Sequence, residues 1–137
     1  MPFSTRLIVR FGETDPAGLV YYPRLFHYCH IALEEFFAAR CGVNYQHLLA
    51  EERIGFPTVK VEAEFYAPLV YGDELKVELF ISRVGRSSAT FEYRLLRASD
   101  DLLCARVTQV HVAMNLDSRR AVSIPEVYRL AFAANIR

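Results

Sequence analysis

The run from Val9 to His27 constrains the fold of this chain more than any other stretch, because it passes from an alternating segment through a tight turn into a strongly apolar helix. Leu7 to Phe11 alternates apolar and polar residues, the pattern of a half-buried strand, and Asp15-Pro16-Ala17-Gly18 supplies turn residues in succession. From about Tyr22, Leu25, Phe26, Cys29, Leu33, Phe36 and Phe37 recur at helical spacing. Ile31 and Ala32 widen that face, so the helix is expected to be largely enclosed, with Pro23 suited to its first turn.

Cys41-Gly42 is a stop signal for this helix, and His47 to Arg53 can add a further helical turn. The remainder reads as strands. Val59, Val61, Ala63 and Phe65 alternate with Lys60, Glu62, Glu64 and Tyr66, which predicts a strand with one covered face. Leu75 to Ser82 and Ser88 to Arg97 follow, turning near Gly85. Leu103 to Asn115 reads as a last long strand near the sheet centre, and Pro125 opens a short terminal helix. The expected architecture is α+β, an antiparallel sheet wrapped around one long helix, with residues 1–137 forming a single domain.

Sixteen basic and sixteen acidic side chains cancel, which excludes bulk electrostatic attraction to nucleic acid or an anionic membrane as the main mode of binding. Hydrophobic residues make up 53% of the chain, yet no segment has the uninterrupted apolar length of a membrane span. The excess points to buried interfaces in a homo-oligomer. Cys29, Cys41 and Cys104 are scattered through apolar patterns and read as reduced core or interface residues. The start, Met1 to Thr5, lacks the basic and apolar regions of a signal peptide, so a cytoplasmic location is expected.

The turn is also where chemistry is expected. Unpaired N–H groups at a helix start form a partly positive pocket that can hold an oxyanion, and Asp15 lies just before it. On the residues alone, the favoured reading is that Asp15 caps or shapes the turn. His27, His30 and Glu34 share one helix, but the spacing lacks the partner Glu of the zinc-protease motif, and no metal site is expected. Glu34 and Glu35 read as surface charge.

The string Phe11-Gly12-x-x-Asp15-Pro16-Ala17-Gly18-x-Val20-x-Tyr22-Pro23 resembles the 4-hydroxybenzoyl-CoA thioesterase family of hotdog-fold enzymes. The resemblance continues through Arg40-Cys41-Gly42, Gly55-Phe56-Pro57-Thr58-Val59, Ala113-Met114-Asn115 and Arg120 to Pro125. It implies an acyl-CoA thioesterase in which Asp15 acts as nucleophile or general base and the Tyr22 backbone N–H holds the oxyanion. It favours catalysis over turn-shaping for Asp15. It also puts Gly18, His30 and Thr58 at substrate-binding positions and implies dimers or dimers of dimers, with no metal or redox cofactor beyond the CoA of the substrate.

Two departures bear on the acyl group. Related short-chain enzymes of the Tol-Pal system carry His where Tyr22 stands, so the chain looks more like the aryl-CoA branch. The 4-hydroxybenzoyl-CoA enzyme has an Asp at the position of His30, so its ring-hydroxyl contact does not carry over. For the CoA phosphates, Arg83, Gly85, Arg86 and Ser88 form a basic hairpin turn able to face an anion. Arg86 matches the family pattern there, and Ser87 replaces a Lys. Arg120, with Arg119 beside it, matches a second phosphate-contacting arginine. The rival readings are a non-catalytic acyl-CoA-binding hotdog module and a hotdog dehydratase or hydratase, for which His27 is the nearby candidate.

Overall fold

The computed structural model describes residues 2–137, so Met1 of the N-terminal segment lies outside the described residues. Strand β1 (Phe3–Ile8) leads through a 3-10 turn, Phe11–Glu13, to helix α1 (Arg24–Arg40). A single turn, α2 (Tyr45–His47), continues as a π-helical turn over Leu48–Glu52. There follow β2 (Ile54–Gly55), β3 (Thr58–Phe65), β4 (Glu74–Val84), β5 (Ser88–Arg97), β6 (Leu102–Val112), β7 (Met114–Asn115), β8 (Arg120–Ala121) and α3 (Glu126–Ala134). The five long strands pair antiparallel in the order β1-β4-β5-β6-β3, and β2-β7-β8 form a small second sheet.

Helix α1 buries Leu25, Tyr28, Cys29, Ala32, Leu33, Phe36 and Phe37, whose spacing of three and four keeps them on one face. Alternate residues of β4 and β5, including Leu75, Val77, Leu79, Phe91 and Tyr93, meet that face. Phe36 stands edge-on to Phe3 and Phe91, with ring centres 5.7 and 5.9 Å apart, and Phe132 of α3 closes the cluster against Phe37 and Phe91. Each of these side chains contributes roughly 1.5–3 kcal/mol by leaving water. The helix stops where Gly42 takes φ +68°, letting the Val43 N–H reach back to the Phe37 carbonyl.

The structure departs from the sequence pattern in three places. The first strand lies earlier than the expected Leu7 to Phe11. Alternation runs inward through Phe3, Thr5, Leu7 and Val9, but Phe11 enters the 3-10 turn, where the Glu13 carboxylate accepts the Arg10 N–H and curls the chain outward. The last long strand ends at Val112, and after the buried Ala113 the residues Met114 and Asn115 pair with β2 and β8 instead. The apolar face of β3 is only partly covered: Ala63 packs against the core, while Val59, Val61 and Phe65 are exposed on this edge strand.

Candidate active site

Residues 13–21 form a short hairpin before α1. The Tyr21 N–H donates to the Glu13 carbonyl at 2.9 Å, Thr14 bridges Val20, and the Asp15 N–H donates to the Leu19 carbonyl at 2.8 Å. Pro16 and Ala17 make the bend, and Gly18, at φ +81°, returns its N–H to the Asp15 carbonyl at 2.9 Å. That positive φ is the reason for glycine there. The Asp15 side chain completes the loop, its Oδ1 accepting from the N–H of Ala17 at 2.9 Å and of Leu19 at 3.3 Å. Among the described residues, Oδ2 accepts no hydrogen bond. Asp15 thus shapes the turn with one oxygen and keeps the other available.

The strand leaving this hairpin runs directly into α1. The first bonds of the helix go from Arg24, Leu25 and Phe26 back to Tyr21, Tyr22 and Pro23, while among the described residues the Tyr22 N–H donates to no acceptor. An unpaired donor at a helix start can polarise a carbonyl, and the free carboxylate oxygen on the same hairpin can attack a carbonyl or take a proton from water. The Tyr22 side chain is exposed and meets the Phe65 ring edge-on at 6.3 Å. Together with Leu19, Leu25, Tyr66 and Cys104 they wall a pocket of about 340 Å³, the size of a small-ligand cleft. Asp15 is not itself part of the lining but holds Leu19, which is. Burial raises the Cys104 thiol, and it raises the Cys41 thiol to about 12, so neither is a ready nucleophile.

A second set of expected residues gathers at the opposite end of β3. Thr58 pairs in register with His111 of β6, and its hydroxyl lies 3.3 Å from His111 Nδ1. His30 is exposed on α1, edge-on to Tyr45 and 3.4 Å from the Glu34 carboxylate. Thr58 lies seven steps along β3 from Phe65, roughly 23 Å, and within one chain neither it nor His30 lines the Phe65 pocket beside the Asp15 hairpin. His27, also on α1, is exposed.

The basic hairpin between β4 and β5 lies at the Thr58 end, since Ser88 pairs with Val112 and the Val112 N–H donates to Pro57. Its tip is fixed by α3: the Arg129 guanidinium donates to the Gly85 and Arg86 carbonyls at 2.9 and 2.7 Å, and the Ile124 N–H donates to Arg86 as well. Arg86 and Arg120 are exposed, and β7 carries the Arg120 strand alongside. Sequence reasoning did not single out Tyr28 or His111. His111 continues the inward alternation Ala105, Val107, Gln109 of β6, and a polar side chain on that face was the available signal.

Residues 9–132 match the Thioesterase-like superfamily. A 1,4-dihydroxy-2-naphthoyl-CoA hydrolase from a Picosynechococcus species is 30% identical over 132 residues, covering 93% of this chain and 89% of that protein. One from a Synechococcus species is 34% identical over 86% of this chain and 80% of its own length. Among solved structures, a 1,4-dihydroxy-2-naphthoyl-CoA thioesterase from Synechocystis superposes with a TM-score of 0.88 at 26% identity, covering 97% of this chain and 96% of that one. A gentisyl-coenzyme A thioesterase superposes with a TM-score of 0.83 at 27% identity, covering 96% and 99%. The curved antiparallel sheet around α1 is the hotdog fold, and the chain belongs to the thioesterase-like superfamily.

Proposed function

We propose that this chain hydrolyses the CoA thioester of an aromatic acid, releasing the free acid and CoA. The observation that carries the reading is the hairpin bearing both a free Asp15 carboxylate oxygen and the unpaired Tyr22 N–H, beside an apolar pocket with aromatic walls. In this reading the thioester carbonyl accepts from the Tyr22 N–H. Asp15 either attacks the carbonyl carbon, forming an anhydride that water opens, or deprotonates the attacking water. In both routes the C–S bond breaks and CoA leaves as the thiol. The aromatic lining by Tyr22, Phe65 and Tyr66 supports a flat acyl group, as does the aryl character of the thioesters named for the relatives. Arg86, Ser88 and Arg120 are the proposed CoA phosphate ligands. Carboxylate, amide and water suffice, and the reaction as proposed uses no metal or redox cofactor.

The proposal includes a second copy of the chain. Strand β3 presents an unpaired edge and three exposed apolar residues, Val59, Val61 and Phe65. Antiparallel pairing of two β3 strands would cover them and set the Thr58 end of one copy against the Phe65 end of the other, bringing Asp15 of one subunit towards Thr58, His30 and the basic hairpin of its partner. Thiol release from a panel of aryl and fatty acyl-CoA thioesters tests the activity. Faster release from aryl esters supports the reading, preference for fatty acyl esters removes its aromatic part, and binding without release makes the chain a ligand-binding module.

A further inference from the structure

Glu13 is as heavily hydrogen-bonded as Asp15, yet the reaction proposed above does not use it. Its Oε1 accepts two hydrogen bonds, from the Arg10 N–H at 2.8 Å and from the Tyr28 hydroxyl at 2.7 Å. Its backbone N–H donates to the Arg10 carbonyl at 3.0 Å, and its carbonyl accepts the Tyr21 N–H. Tyr28 lies in α1, only 1% exposed, six residues beyond Tyr22. Burial and the neighbouring Glu13 carboxylate both push the Tyr28 hydroxyl well above its usual range, so it remains a donor wherever the protein is folded.

These bonds close a small mechanical loop. The second strand of the hairpin is tied covalently to α1 through Tyr22 and Pro23. The first strand, which carries Asp15, would otherwise hang on the backbone pairs of a short ladder. The Glu13 to Tyr28 bond ties that first strand to the same helix. We propose that Glu13 and Tyr28 are a positioning pair, which sets the Asp15 carboxylate against the Tyr22 amide without touching substrate. This rests on the reading of Asp15 and Tyr22 given above.

The test compares Tyr28→Phe, Glu13→Ala and Glu13→Gln with wild type, on an aryl-CoA thioester that wild type cleaves, alongside amide hydrogen exchange at Ala17 and Leu19. Misplacing a reacting group by about 1 Å costs up to about 100-fold, so kcat is expected to fall about 10- to 100-fold in Tyr28→Phe and Glu13→Ala, with KM nearly unchanged and faster exchange at both amides. The Gln side-chain oxygen can accept both bonds, so Glu13→Gln is expected to restore most of the kcat. Wild-type kcat in Tyr28→Phe and Glu13→Ala would overturn the pairing, and so would a Glu13→Gln enzyme as poor as Glu13→Ala, because charge rather than hydrogen bonding would then be at stake. Asp15→Asn separates the two levels. Its inactivity beside unimpaired Tyr28→Phe sinks only the positioning pair, whereas full activity of Asp15→Asn removes the reading of the site on which the pair depends.

Discussion

The Nδ1 nitrogen of His111 lies 3.0 Å from the carbonyl oxygen of Phe56, and this contact fixes the state of a histidine that is only 2% exposed. A carbonyl oxygen can only accept, so Nδ1 carries the proton and shares it with Thr58 Oγ1, while Nε2 accepts from the Tyr93 hydroxyl at 3.4 Å. Burial pushes the imidazolium pKa down to about 4.

A depressed histidine pKa means that the unfolded chain binds the proton more readily than the folded one. The contribution of His111 to stability is therefore fully present above about pH 6.5 and is lost as the pH falls towards about 4, a change of about 3 kcal/mol. Urea unfolding across this window is expected to show a shallower pH dependence in His111→Gln than in wild type. Equal slopes would mean that His111 does not titrate in this way.

Gly18→Ala introduces no steric clash, since nothing lies within 4 Å of the added carbon. The strain is conformational, because φ +81° disfavours a residue with a Cβ, and the expected loss is about 1–2 kcal/mol. Denaturant unfolding reads the stability, and kcat is expected to fall with it, because the Gly18 N–H closes the Asp15 turn.

Arg86→Ala is expected to raise KM for CoA thioesters about tenfold, the equivalent of one charge-assisted hydrogen bond, while leaving hydrolysis of a short thioester without the nucleotide unchanged. Steady-state kinetics on the two substrates separates these effects. A matched loss on both would place Arg86 outside nucleotide binding.

Val61→Lys sets like charges against each other where two β3 strands would meet. Light scattering is expected to show a shift towards monomer, with turnover lost in parallel if the site draws on both copies. A variant with the wild-type mass and rate would contradict pairing through β3.

The long helix, four of the five long strands and the turn at Gly18 were legible because each follows a local rule: period 3.6, period two, or glycine at positive φ. The first strand was misplaced because its alternation continues into Val9, and only the Glu13 cap, a contact to a side chain, reveals where the chain curls away. The covered face expected for β3 was read correctly as apolar but not as only partly covered, since periodicity says which residues share a face and not what lies opposite. Asp15 stood out because turn chemistry and helix start coincide in sequence, but it was the family resemblance that favoured catalysis over turn-shaping there. Tyr28 and His111 did not, since the partners of their polar atoms lie 15 and 55 residues away.

The central claim is that the free oxygen of Asp15 performs the chemistry. Asp15→Asn tests it directly, because the amide oxygen can still accept from Ala17 and Leu19 and hold the loop, while the charged second oxygen is replaced. Thiol release from an aryl-CoA thioester is expected to fall by about 10²- to 10⁴-fold, with thermal unfolding unchanged. An Asp15→Asn protein that folds normally and cleaves at the wild-type rate would contradict the account.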